Sequence, residues 1–202
     1  MENNSQKLVN YIYSIQDFKI VTGIDGAYQH MGATLVDGVL QSGLNYKTVV
    51  KPRVDKVLAN YPNEKTTSEF SDLCKKEGIK NIITWKDDRK PNLILTLISL
   101  LQRENVETCQ EFSVWLNDDQ NTKKLQTIKG IGPKTIDYFK ILVGQESVAV
   151  DVHLNRFIQL AGIQLSEYEE IKALISKTSN VLGIKQSILD HSIWKYMSEK
   201  KQ

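Results

Sequence analysis

IKGIGPKT, residues 128–135, sets two glycines two apart around an isoleucine and follows them with a proline and a lysine. Before Gly130 the apolar residues Leu125 and Ile128 suggest a short helix. After Gly132 a second helix is expected, with Pro133 at a first-turn position that needs no amide hydrogen. The stretch therefore reads helix, hairpin, helix. Glycine admits backbone conformations closed to other residues and carries no side chain to obstruct a ligand, so the amides of Gly130, Ile131 and Gly132 could converge on an anion such as a phosphate. The positive end of the second helix adds to that attraction. Taken alone, the same pattern is also what an ordinary αα-hairpin needs for a tight corner.

The rest of the chain is helical in pattern. Leu8, Ile12 and Ile15 fall one turn apart, as do Met31, Leu35 and Val39, and then Val50, Val54, Val57 and Leu58. Thr66 with Glu69, and Ser166 with Glu169, fit the reciprocal capping box of a helix start. Gly78, Gly162 and Gly183 suit the left-handed position past a helix end. Pro52 is tolerated if its helix begins near Thr48 or Val49. Residues 86–91, KDDRKP, read as a loop before a buried helix over the apolar run 93–101. No segment sustains strand alternation and no repeat appears, so the expected class is all-α.

With 41% hydrophobic and 25% charged residues, the composition is that of a folded globular protein and excludes disordered and fibrous classes. The longest apolar run is too short to span a bilayer, and MENNSQKLVNYIYS lacks the pattern of a signal peptide, so a cytoplasmic protein without membrane partners is expected. Two cysteines, Cys74 and Cys109, exclude a disulfide framework or Cys-rich metal site. A net charge of +2 says little about partners. The clusters Lys47, Lys51, Arg53, Lys56 and Lys123, Lys124, Lys129, Lys134, Lys140 lend modest weight to a polyanion.

The longer stretch 125–162, LQTIKGIGPKTIDYFKILVGQESVAVDVHLNRFIQLAG, resembles the helix-hairpin-helix (HhH-GPD) DNA glycosylase superfamily, in particular its endonuclease III-like and 8-oxoguanine glycosylase branches. That pattern runs Gly-apolar-Gly, one residue, Lys-Thr, a helix, then a Gly-containing loop into apolar-Val-Asp-x-His. Gly130, Gly132, Lys134 and Thr135 fall on the first half, and Val150, Asp151 and His153 on the second, with Asp151 17 positions beyond Lys134. Weaker similarity in helix order extends from about Gly32 to Trp194.

The resemblance implies a two-lobed helical architecture with a catalytic cleft between the lobes. One lobe would span 25–135 and the other 1–24 plus 136–202. It implies a monomeric base-excision repair enzyme that acts on double-stranded DNA containing a damaged or mismatched base, with Lys134 and Asp151 catalytic and AP-lyase activity. Gly130, Ile131, Gly132, Thr135, Lys129 and His153 would contact DNA. Several relatives hold an iron-sulfur cluster on four C-terminal cysteines; nothing after Cys109 could do so here, so no cofactor is expected, and a monovalent cation at the hairpin is left open. Relatives also carry an LSQQT-like stretch whose glutamine fills the gap left by a flipped base. The corresponding VLQSGLNYKT, residues 39–48, offers Gln41 and Asn45. LDHSIWKYM, residues 189–197, resembles the helix bordering the base pocket and offers Asp190, His191 and Trp194.

The implied chemistry suits the residue types. A lysine in the first turn of a helix is pushed by the dipole and by partial burial toward the neutral amine that could attack C1′ of the sugar. An ordinary lysine titrates near ~10.4, so some such push is required. A carboxylate at about 4 Å acts oppositely, by up to about 4 kcal/mol at an effective dielectric of 20, so the pair would titrate together. Asp151 also precedes the stripe Val152, Leu154, Phe157, Ile158, Ala161 and suits the N-cap of that helix. A glycosylase that uses Asp151 and water without lyase chemistry, and a non-catalytic DNA-binding module, remain compatible with the same motif.

Overall fold

The computed structural model describes residues 3–23 and 27–200, and among these the regular structure is helical with no strand. The chain divides into two compact units, Gly26–Gln145 and a second formed by Met1–Asp25 with Glu146–Gln202.

The unit Gly26–Gln145 contains α2 (Met31–Leu40), a π-helical turn (Tyr46–Val50), α3 (Lys51–Asn60), α4 (Thr67–Glu77), α5 (Ile79–Ile82), α6 (Arg89–Arg103), α7 (Cys109–Trp115), α8 (Asp119–Gln126) and α9 (Pro133–Leu142). Its centre is α2, all ten of whose residues are buried. MGATLVDGVL is apolar on nearly every side, the pattern of a helix surrounded by others. Its two glycines make that close packing possible. A Cβ on Gly32 would lie 2.3 Å from the Phe70 ring, and one on Gly38 would lie 2.1 Å from the Phe139 ring. The helix is capped by His30, whose Nδ1 accepts the Ala33 N–H at 3.2 Å while Nε2 lies 2.8 Å from the Tyr61 carbonyl. A carbonyl can only accept, so His30 is the neutral Nε2–H tautomer.

The second unit contains α1 (Asn4–Ser14), α10 (Val152–Leu160), α11 (Tyr168–Leu182) and α12 (Gln186–Glu199). Leu8 and Ile12 of α1 join Leu154, Phe157, Ile175, Leu189 and Ile193 in one core. Phe18 and Phe157 each pack against the Tyr196 ring, at centroid distances of 5.4 and 6.0 Å. The Lys7 amine donates to the Gly162 carbonyl at 2.7 Å, tying the N-terminal helix to the turn after α10.

Several local expectations are corrected. The capping box at Thr66–Glu69 forms, and a second forms at Thr108–Glu111. The one expected at Ser166–Glu169 does not, because α11 starts a residue later with Glu167 at its cap and no side-chain cap bond. Pro52 sits in the first turn of α3, which begins at Lys51 after the π-helical turn rather than at Thr48 or Val49. The expected loop 86–91 is cut short by α6, which takes Pro91 into its first turn, where no amide is needed. Gly183 is left-handed, whereas Gly78 combines φ +78° with an extended ψ of 124°.

The first expected boundary, 24/25, lies outside the described residues. The other falls after Gln145 rather than after residue 135. Phe139 of α9 lies in the core of the α2 unit, and the Gln145 amide donates to the Ser113 carbonyl, so α9 and the turn after it pack with the central helix.

Candidate active site

The hairpin runs from the end of α8 to the start of α9. Ile131 anchors it: the side chain is 5% exposed and joins the core around α2. Its amide donates to the Ile128 carbonyl at 3.0 Å, and Ile128 lies in this turn rather than in α8. Ile131 therefore closes the turn and is not one of the converging anion donors expected from the sequence. Gly130 has φ +102°, a conformation that strains any L side chain. Gly132 is different. It caps α9 with an extended φ of −114°, and a Cβ there would meet nothing within 4 Å. Neither backbone strain nor crowding requires glycine at 132; the open face it leaves is what a ligand approaching the backbone would use. Gly132 offers no side-chain cap to the first turn of α9, an arrangement that leaves helix-start amides for an anion, and Lys129 is exposed beside it. Thr135, 6% exposed, is buried behind the hairpin.

Lys134 follows directly, in the first turn of α9. Its half-buried amine donates to Gln41 Oε1 at 2.9 Å. Gln41 is the C-cap of α2, and its own amide nitrogen lies 3.4 Å from the Gly38 carbonyl. Two candidates 93 positions apart are thus brought together, with the Gln41 side chain holding the Lys134 amine. Asn45, the other candidate of that stretch, is spent locally: Oδ1 accepts the Thr48 N–H at 3.0 Å and caps the π-helical turn.

Around this contact lie polar groups that no sequence pattern announced. Lys90, 8% exposed, donates to the carbonyls of Val39 at 2.6 Å and Ser42 at 3.2 Å, closing the C-terminal end of α2 that carries Gln41. Burial, followed by the nearby charges of Arg89 and Lys134, pulls its amine below the usual lysine range. One turn back from Gln41, Asp37 is fully buried. It accepts hydroxyl hydrogen bonds from Tyr28 at 2.5 Å, Tyr46 at 3.3 Å and Tyr138 at 3.1 Å. Burial raises the Asp37 carboxyl above the usual carboxylate range, with the three phenols pulling the other way. The only available signal was an aspartate within an otherwise apolar helix.

In the other unit Asp151 is the N-cap of α10, with Oδ1 accepting the Leu154 N–H at 2.9 Å, as its place before the apolar stripe led one to expect. Val152 beside it is 76% exposed. His153, half-buried, occupies the second position of α10. Asp190 is buried and accepts the Ala149 N–H at 2.8 Å, which braces the segment entering Asp151. His191 and Trp194 stack with ring centroids 5.5 Å apart. Among the described residues no group of three or more His, Cys, Asp or Glu side chains is placed to hold a metal ion, and no helix is long and apolar enough to cross a membrane.

Chemically, the hairpin can bind an anion and the held amine can act as donor or nucleophile. The capped carboxylate can accept a proton or face positive charge. Comparison with solved structures places the fold. The chain is similar over its whole length to all of the H. pylori 3-methyladenine DNA glycosylase MagIII, a structure bound to 1,N6-ethenoadenine, with TM-score 0.64 and 13% identity. It is similar over 98% of its length to 89% of the 8-oxoguanine DNA glycosylase of Thermotoga maritima, with TM-score 0.56 and 15% identity. At these identities the likeness establishes the fold, an all-helical one shared with DNA glycosylases. No curated protein matches the sequence. A family model described as a domain of unknown function, DUF8548, matches residues 6–198.

Proposed function

The chain belongs to the DUF8548 family, and we propose that it is a base-excision DNA glycosylase with AP-lyase activity, acting on a damaged or mismatched base in duplex DNA. The observation that carries this reading is the Lys134 amine. It stands in the first turn of α9, directly after a glycine hairpin with an unobstructed face at Gly132, and is held by Gln41. A lysine serving only to contact phosphate has no need of such a holder. The helical fold shared with two DNA glycosylases is the setting in which that arrangement has a use.

In the proposed reaction the hairpin amides and Lys129 grip the phosphate backbone, and the target nucleotide leaves the stack at a cost of a few kcal/mol. The Lys134 nitrogen attacks C1′ while the glycosidic bond breaks, and the base departs with the bonding electron pair. The proton released from the amine goes to a carboxylate base, the role that the resemblance to DNA glycosylases gives to Asp151. The resulting Schiff base between Lys134 and the opened sugar permits elimination of the 3′ phosphate and so cuts the strand. Gln41 contributes by accepting one N–H of Lys134, which limits the directions in which the nitrogen can face.

Borohydride trapping across a panel of duplexes, each with a single lesion, tests this. Wild type should form a covalent adduct on at least one duplex, and Lys134→Ala should form none. An adduct at full yield in Lys134→Ala removes the lysine from the reaction. Base release without nicking or trapping would leave a monofunctional enzyme relying on Asp151 and water. Tight, salt-sensitive binding with no release from any lesion would leave a DNA-binding module.

A further inference from the structure

Asp37 is an expensive residue to place where it is. Its helix is buried on all sides, and the hydrogen-bond partners of its carboxylate are three phenol hydroxyls. A buried carboxylate loses hydration that such contacts rarely restore in full, and an apolar residue of similar size packs at least as well. The raised pKa of the group reflects that imbalance. Stability therefore does not account for it.

The geometry points to another use. Asp37 and Gln41 are one turn apart on α2, and Tyr138 and Lys134 are one turn apart on α9. Asp37 bonds Tyr138 and Gln41 bonds Lys134, so the two helices run antiparallel and the two bonds are successive rungs between them. Beside the inner rung, the Phe139 ring fills the space that Gly38 leaves. Sliding or turning α9 by one residue would break both rungs and drive the ring into α2. In the inner rung the carboxylate of Asp37 is fully buried, and its partners are phenol hydroxyls. The outer rung is half-buried and joins two long side chains, which by themselves could adopt many arrangements. Fixing a register is the best-attested use of a buried polar group.

We propose that Asp37 is a positioning residue: through Tyr138 it sets the register of α9 on α2 and so holds the Lys134 amine at Gln41. The proposal deepens the glycosylase reading and rests on it for the catalytic consequence alone.

Two readouts separate the two claims. The first needs no DNA: trace acetylation with acetic anhydride, with Lys134 quantified by peptide mass spectrometry against Lys129 of the same hairpin. Asp37→Leu and Tyr138→Phe, each checked for a cooperative thermal transition, should raise the Lys134:Lys129 labelling ratio severalfold as the amine is released. The second is single-turnover borohydride trapping. The rate should fall at least about tenfold, since misplacement by ~1 Å costs up to ~10²-fold, while duplex affinity is unchanged. If Asp37→Leu does not fold, Tyr138→Phe, which removes one hydroxyl, decides. An unchanged labelling ratio in the folded variant overturns the proposal, as does a changed ratio with an unchanged trapping rate. A wild type that neither traps nor releases a base from any duplex, while the variants still release Lys134 to the reagent, overturns the glycosylase reading and upholds the register.

Discussion

Replacing Gly132 by alanine separates what the hairpin does for the fold from what it does for DNA. Its φ of −114° is open to any residue, and the new methyl would meet nothing within 4 Å, so no strain or overlap follows. Alanine is a poorer helix cap than glycine, which costs roughly 0.5–1 kcal/mol. Against this, alanine narrows the unfolded ensemble and returns about 0.4–1 kcal/mol. The two nearly cancel, and for a chain of this size the melting temperature should move by no more than about 2 °C. If a phosphate packs against that face, however, the methyl occupies its place, and losing one charge-assisted contact of about 1.5 kcal/mol weakens binding by roughly tenfold. The weakening should be equal for damaged and undamaged duplexes, because a phosphate contact reads no base. Thermal denaturation with fluorescence anisotropy on both duplexes, at fixed salt, gives the comparison. Wild-type affinity in a normally stable Gly132→Ala would refute the idea that the backbone there is approached by DNA. Gly130→Ala makes the contrast: at φ +102° the fold itself is strained, and stability should fall by about 1–3 kcal/mol.

The remaining predictions concern the scaffold. Gly38→Ala places a methyl 2.1 Å from a ring atom of the fully buried Phe139, an overlap that costs up to about 3 kcal/mol and is offset by about 1 kcal/mol of helix propensity. Calorimetry should show a melting temperature lower by roughly 4–8 °C, and an unchanged value would mean that α9 yields. For Asp37 the folded pKa is raised, so the fold binds that proton more tightly than the unfolded chain does. Its penalty is present above the raised pKa and disappears as pH falls toward 3.8. The stability advantage of Asp37→Asn over wild type in urea titrations should therefore shrink on acidification from neutral pH, and an advantage that grows would reverse the assignment. Thr108→Ala removes a capping-box acceptor and should cost about 1 kcal/mol in the same titrations, with a null result placing the start of α7 elsewhere.

What was legible in the sequence is what is decided within a few neighbouring residues. The hairpin could be read from IKGIGPKT because turn conformation and a first-turn proline are local matters; so could the box at Thr66–Glu69 and the cap at Asp151, each a side chain reaching a backbone three residues on. Even locally the reading failed where two turn solutions compete, as at Ser166 and at the Ile131 amide. The contact between Gln41 and Lys134 belongs to another category. It joins positions 93 apart and exists because α2 and α9 pack against each other, with the Phe139 ring in the gap at Gly38 and Tyr138 bonded to Asp37. The buried Asp37 with its three tyrosines, the Lys90 amine on the last carbonyls of α2, and the placing of α9 with the central helix arise in the same way. An amphipathic pattern says that a helix has a partner; which helix it is, and which side chains then face each other, is settled only by how the volumes fit.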